Sequence, residues 1–544
     1  MDSKLKELFK NPWCSAIIAF VIVIAVAANL VNSCNRARFY KSGIITKNVN
    51  EVDNKWRKLM LVLQQVEENY VDTINYKEIT EKTIPSLLQS LDPHSIYLPP
   101  QDLEDADESL SGNFSGIGVE FNMPQDTVVI INVVSNGPSE KVGIQSGDRI
   151  VAVGDKVIAG VEFPQDSVIK LLRGPVGTTV DVSVKRIGVP HLIPFTIKRD
   201  IIPLKSLDAA LMLTPTMGYI KLSKFSRTTH TEFLTEAVKL LKQGMKTLVL
   251  DLRDNPGGYM DQAFLIANDF LQKGDMIVYM EGNHRARQDF RADGNGICKG
   301  LKLYVAINEN SASSSEIVAG AIQDNDRGSI VGRRSFGKGL VQEPIYFSDS
   351  SGIRLTVARF YTPSGRCIQK PYSKTYEYDI YDRYTSGELH SADSIPKNDS
   401  LAFKTLKQGR TVYGGGGIIP DVFVPLDTVG ITPFLINVNR NSLTLKYSSE
   451  FADLHRDALS KIKTFDELEK LFKSVNLQNG FLQYAKAHNV APGPGEWKES
   501  GGIILSQLKG LIGRYSAMDT DAYYSYILQI DNVAAKIKEL ENEK

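Results

Sequence analysis

Cysteine is scarce, with four in 544 residues. Cys14 and Cys34 belong to an apolar run near the start, which leaves Cys298 and Cys367 as the globular pair, 69 residues apart. That spacing fits no metal motif and leaves two readings open, a pair of buried thiols or one disulfide. Net charge is missing too. The 63 Lys and Arg balance 63 Asp and Glu, so no basic surface for nucleic acid is expected. No His, Cys and carboxylate cluster has metal-ligand spacing, so no metal is expected. Around Lys338 the G-x-x-x-x-G-K-[ST] phosphate loop is absent, because Gly339 follows the lysine. No cofactor is expected either.

A chain this long exceeds what one core supports, since domains run to roughly 100–200 residues. Three or more domains are expected. Trp13 to Val31 reads WCSAIIAFVIVIAVAANLV, 19 residues without a charge, close to the roughly 20 that span a bilayer. Residues 11–33 are therefore expected to be a single-pass anchor behind a short tail, 1–10. A cleaved signal peptide is the alternative, although such cores run to only about 7–15 apolar residues; a lipoprotein signal ending at Cys34 is a third. Lys4, Lys6 and Lys10 before the run and Arg36, Arg38 and Lys41 after it leave its orientation undecided.

From Glu51 to Leu91, Trp56, Leu59, Leu63, Val66 and Tyr70, then Ile84, Leu87 and Leu88, fall at helical spacing. Two helices are expected within 34–111. Residues 112–200 hold short β-like runs between glycine turns and one helical stretch, Gln165 to Leu172, which reads as a compact β-rich module. From 201 to 426, apolar strands (MGYIKL, TLVLDL, LKLYVAI) alternate with amphipathic helices, the pattern of an α/β layer structure. Residues 371–412 interrupt it with polar, tyrosine-rich sequence that reads as an insertion. Residues 427–544 are mainly helical and carry no catalytic motif.

Three places in the α/β part could carry chemistry. In KTLVLDLRDNPGGYM a strand runs into Gly257 and Gly258 before a helix; such a turn either converges backbone N–H groups on an oxyanion or is an ordinary tight turn. Residues 311–315 hold four serines ahead of a helical pattern. Ser313 with Glu316 fits the S-x-x-E capping box, yet the same helix N-terminus would stabilise negative charge on a substrate oxygen beside Ser313. Lys338 lies between Gly337 and Gly339. To act as a base its amine must lose roughly three units from a pKa near 10.4, and flanking glycines let backbone approach closely enough to bury it; a surface lysine in a turn is the other reading. Gln342 follows at an even offset, so on a strand it would share a face with Lys338 and orient the amine, or simply be solvated.

Taken together, LDPHSIYL (91–98), LDLRDNPGG (250–258), SASSSEIVAGAIQD (311–324), GRRSFGKGLVQ (332–342), YTPSGRCIQ (361–369) and GIIPD (417–421) resemble the S41 family of C-terminal processing, or tail-specific, peptidases over residues 50–425. The resemblance implies an S41-type α/β protease core with a mixed sheet and helices, preceded by N-terminal helices and a PDZ β-domain and followed by the helical C-terminal region. It implies a serine endopeptidase in which Ser313 is the nucleophile, Lys338 the general base in place of histidine, and Gln342 the residue that positions the lysine. Gly257, Gly258 and the Ser314 amide match the oxyanion region. Ser314 stands where alanine is common and Ser335 where threonine is.

SGIGVEF (115–121), GPSEKVGIQSGDRIVAVGDKVIAG (137–160) and LLRGPVGTTVDVSVKR (171–186) resemble a PDZ domain of the same proteases. Gly116, Ile117, Gly118 and Val119 would then receive a substrate's terminal carboxylate, with the peptide pairing along the adjacent strand. Partners are thus expected to be proteins or peptides recognised by their C-terminal tails, with the globular part extracytoplasmic, in a periplasm, and homo-oligomerisation left open. Arg173, at the end of the PDZ helix, either couples peptide occupancy to the protease core or is a helix-end charge. An inactive PDZ scaffold of the cell envelope is the competing function, and it would have lost Ser313, Lys338 or Gln342.

Overall fold

The computed structural model describes residues 56–124, 126–373 and 375–543. The expected anchor, Trp13 to Val31, lies outside the described residues. Among those described, no helix is long and apolar enough to cross a membrane. The chain divides into two compact units. One comprises the described residues up to Leu103 together with Glu343–Leu355; the other comprises Glu104–Gln342 and Thr356 onward.

In the first unit, the periodicity read from the sequence appears as helices Arg57–Asn69 and Tyr76–Gln89. Strand Ile96–Leu98 pairs antiparallel with Gly352–Arg354.

The second unit begins with the β-rich module. Strands Val119–Asn122, Val128–Val133, Arg149–Val153, Thr179–Lys185 and Ile193–Lys198 form one antiparallel sheet in that order. Its helix runs from Gln165 to Leu172, as expected, and buries Val168 and Leu172 against Ile130, Ile150, Val182 and Ile197. Strands Asn113–Gly116 and Asp200–Pro203, one on either side of the module in sequence, pair with each other.

The sheet of the α/β part has the order Leu207–Met212, Met217–Leu222, Thr247–Asp251, Lys302–Ile307, Ser329–Gly332, Val422–Phe423. Only its first pair is antiparallel. Continuous apolar runs such as TLVLD form its central strands because both faces are covered. Leu248, Leu250, Leu303 and Val305 face helices that contribute Phe233, Ile266 and Ile317. The alternate residues Val249, Tyr304 and Val331 face the other way, against Leu528, Val533, Ala534 and Ile537 near the C-terminus. The last helices thus supply the second cover of the sheet, a role that their own periodicity does not reveal. Residues 434–526 also hold a core of their own, around Phe434, Leu468, Phe481, Leu508 and Tyr526. Cys298 and Cys367 are free thiols, so the disulfide alternative falls.

Candidate active site

Strands Thr247–Asp251 and Lys302–Ile307 are neighbours, and the loops leaving their ends are stitched together. The Asn308 side chain accepts from the Asp254 N–H (2.9 Å) and donates to the Asp254 carboxylate (2.8 Å). Buried Asn255 donates to the Leu222 carbonyl (2.9 Å), while its own carbonyl accepts from the Ala312 N–H (3.0 Å) and the Ser315 hydroxyl (2.9 Å). Gly257 thereby comes against the serine cluster. A Cβ there would lie 2.8 Å from Ser313 Cβ and 3.0 Å from Ser314 N, and φ is +101°; only glycine fits.

Three of the four serines are staples. Ser311 donates to the Leu252 carbonyl (2.8 Å), Ser314 to the Gly258 carbonyl (2.9 Å) and Ser315 to Asn255. The hydroxyl that Ser314 adds beside Ser313 therefore fastens the glycine turn. Ser313 differs from the others. It is half-buried and precedes helix Ser314–Asp324 with φ +54° and ψ −112°, a conformation that costs a non-glycine residue free energy and that persists where surroundings over-determine it.

Glu316, read from the sequence as a cap partner, is the hub of the site. It is fully buried. Its Oε2 accepts from the Ser313 N–H (2.9 Å) and the Lys338 N–H (2.8 Å); its Oε1 accepts from the Ser335 hydroxyl (2.5 Å) and the Gly337 N–H (2.7 Å). Burial pushes its carboxyl above the ordinary range, against the pull of those four donors. Glu316 thus reaches back to Ser313 as a capping box requires, and both of its oxygens also hold the lysine loop. Lys338 is half-buried, and its Nζ donates to Gln342 Oε1 at 2.9 Å. The even offset places both groups together even though the strand itself begins only at Leu340.

Behind this loop stands the polar insertion. Buried Arg383, on helix Asp379–Thr385, donates to the carbonyls of Arg334 (3.1 Å), Ser335 (2.9 Å) and Phe336 (3.1 Å). Arg334 is paired in turn with Glu388 at 2.6 Å. The sequence held only one weak hint of this support, an arginine and an acid in an otherwise unpatterned stretch. Below the glycine turn, Asp251 is buried, which raises its carboxyl, but Arg253 (2.5 Å) and Lys221 overcome this and hold it well below the carboxylate range. Arg253 also reaches Asp531 at 2.7 Å.

The Gly257 N–H donates to Asn255 Oδ1 (2.9 Å). Among the described residues, the Gly258 and Ser314 N–H groups donate to no protein acceptor. In the PDZ loop, Gly118 has φ +74°. The Ile117 carbonyl accepts from Ser139, and the Gly118 carbonyl from the Val134 N–H. Among the described residues the Ile117 and Gly118 N–H groups likewise donate to no protein acceptor. Gly116 ends strand Asn113–Gly116 and Val119 opens the edge strand. Arg173 caps the PDZ helix, but its guanidinium lies over the Phe114 ring and on Glu108 (3.2 Å) and Asp105 (3.8 Å), from the helix just before the module, Pro100–Ser111.

Several parts of the chain match known families. Peptidase family S41 matches residues 216–380, a PDZ domain residues 115–193, and a family of unknown function (DUF8443) residues 434–516. The chain is 32% identical to a carboxy-terminal-processing protease of Bartonella bacilliformis over 358 residues, 65% of this chain and 80% of that one. It is 32% identical to the carboxy-terminal processing protease CtpA of Bacillus subtilis over 401 residues, 73% and 81% of the two chains. Among solved structures it is similar to a photosystem II D1 C-terminal processing protease, with 26% identity, a TM-score of 0.37, and 69% and 88% of the chains covered. With identity at this level across four-fifths of two relatives, the chain belongs to peptidase family S41, the carboxy-terminal processing proteases, and is a serine peptidase that carries a PDZ domain.

Proposed function

We propose that this protein is a membrane-anchored endopeptidase that captures protein C-terminal tails on its PDZ domain and cleaves them with a Ser313/Lys338 pair oriented by Gln342. The observation that carries this reading is the Lys338–Gln342 hydrogen bond of 2.9 Å on a loop that shares the Glu316 carboxylate with Ser313. In this mechanism the neutral Lys338 amine takes the Ser313 hydroxyl proton as Oγ attacks the scissile carbonyl carbon. The oxyanion accepts from the Ser314 N–H and the Gly257/Gly258 turn, with Gly258 favoured because Gly257 already serves Asn255. Lys338 then protonates the leaving amine, and water hydrolyses the acyl-enzyme in a second, equivalent step. The inactive-scaffold reading is set aside because Ser313, Lys338 and Gln342 are all present.

Capture is assigned to Gly116, Ile117, Gly118 and Val119, whose loop amides would meet a terminal carboxylate while the peptide pairs with the edge strand. The anchor is assigned to residues 11–33, with the catalytic part on the extracytoplasmic side, and Arg173 is retained as a coupling residue acting through Glu108. Mass spectrometry of envelope protein C-termini in cells with wild-type or Ser313→Ala protein tests the activity. Shortened tails found only with wild type are expected, and identical termini in both would sink the reading. Release of the full chain from membranes by salt alone, without detergent, would remove the anchor.

A further inference from the structure

The PDZ module joins the protease part through the paired strands Asn113–Gly116 and Asp200–Pro203. The C-terminal helical region holds the module as well, at two places. Asp453 pairs with Arg149, and Arg456 reaches Asp148 (3.4 Å) across Gly147, where a Cβ would run into the guanidinium. The second grip is more specific. Strand Val119–Asn122 lies at one end of the PDZ sheet, and among the described residues its neighbour there is Val128–Val133 alone. Val119 and Phe121 pack on the module's core, so Glu120 points from the opposite face. Its cross-strand partner is Asn132. Arg514 donates to both Glu120 oxygens (2.6 and 2.7 Å), Asn132 donates to Asp519 (2.8 Å), and Arg514 lies 3.4 Å from Asp519. Arg514 and Asp519 thus link the side chains of one pair of opposed residues, Glu120 and Asn132.

The helix that begins at Asp519, Asp519–Ile527, is held on the protease sheet by its next residues. Asp521 accepts from the Ala210 N–H (3.2 Å), and the Tyr524 hydroxyl donates to Asp208 (3.2 Å). This nine-residue helix, about 13 Å long, thus holds the strand Val128–Val133 through Asp519 and the first strand of the protease sheet through Asp521 and Tyr524, while Arg514, just ahead of it, holds the edge strand.

We infer that Arg514 and Asp519 are positioning residues for substrate capture. They clamp the strand that receives the tail, Arg514 directly through Glu120 and Asp519 through Asn132 on the neighbouring strand, at a set distance from the catalytic sheet, leaving its outer edge and core-facing side available. The inference rests on that strand being the tail-receiving edge, as proposed above. A captured tail helps cleavage only through the effective concentration of its scissile bond at Ser313, which falls when the capturing module swings.

The test uses the full chain with two substrates, a folded protein with a cleavable C-terminal tail and a short peptide of the same cleaved sequence with an amidated end. Arg514→Ala is expected to lower kcat/KM for the tailed protein about tenfold, with turnover of the amidated peptide unchanged, and Arg514→Lys to restore most of the loss. A wild-type preference for the tailed substrate that persists in Arg514→Ala and Asp519→Ala overturns the positioning role alone. Equal losses on both substrates also overturn it, marking Arg514 as a general structural residue. A wild-type protein that cleaves both substrates equally well overturns tail capture itself, and this role with it.

Discussion

Ser313 and Lys338, 25 residues apart in the chain, donate their backbone N–H groups to the same oxygen, Glu316 Oε2, at 2.9 and 2.8 Å. One buried carboxylate therefore fixes both main chains, so the distance between the proposed nucleophile and base does not depend on their side chains alone.

Glu316→Gln tests this hub. The amide offers one acceptor oxygen where four donors converge, so kcat is expected to fall about 100-fold. Stability should respond to pH in a definite direction. The folded-state pKa of Glu316 lies above its ordinary 4.5, so the favourable protonated state is fully present below 4.5 and its benefit is lost as pH rises through the shifted value. Melting temperatures should accordingly move in favour of Glu316→Gln, relative to wild type, as pH is raised from 4.5 to about 7. A gap that widens against the variant over that range would refute the buried-charge cost.

Ser313→Ala and Lys338→Ala should each lower peptide hydrolysis by about 1,000-fold or more, and the double variant should be no worse than either, because nucleophile and base act as one unit. Gln342→Ala should leave a measurable residue of activity. Steady-state kinetics on the four variants decide it, and near wild-type turnover in folded Lys338→Ala removes the Ser/Lys assignment.

Arg383→Ala strips hydrogen bonds from three successive carbonyls of the lysine loop and leaves the Asp379 and Glu388 charges less compensated. A loss of about 3 kcal/mol in stability is expected, together with a fall in kcat at little-changed KM. Urea unfolding and kinetics on the same sample measure both.

Burial pushes the Cys298 thiol up to about 12, and thiolate is the reactive form. Iodoacetamide at pH 8 should leave Cys298 unmodified in the native protein and label it in urea, as read by peptide mapping. Rapid native labelling would contradict the burial.

Much of this site was legible in the sequence because its information is local. A strand running into Gly257, a serine ahead of a helix, and an even offset from Lys338 to Gln342 are short patterns, and the PDZ helix formed where its periodicity placed it, at Gln165–Leu172, although the strand after Lys338 starts only at Leu340. Sequence alone also separated the β-rich, α/β and helical parts, since strand alternation and helix spacing report which side of an element is apolar, although the apolar positions of helix Arg57–Asn69 stay exposed.

What they do not report is the partner against which that side is buried, and this the tertiary structure decided. Glu316 reads as a helix cap because Ser313 is three residues away, whereas Ser335 and Lys338, its other partners, come from a separate loop. Arg383 looks like one charge in an unpatterned insertion until the fold lays it across the carbonyls of 334–336. The C-terminal helices carry no motif, yet they cover Val249, Tyr304 and Val331 and hold Glu120 through Arg514. The physical reason is the same in each case: a sheet with two apolar faces must be covered twice, and a buried carboxylate must find its donors, but which distant segment meets either demand is settled only when the whole chain packs.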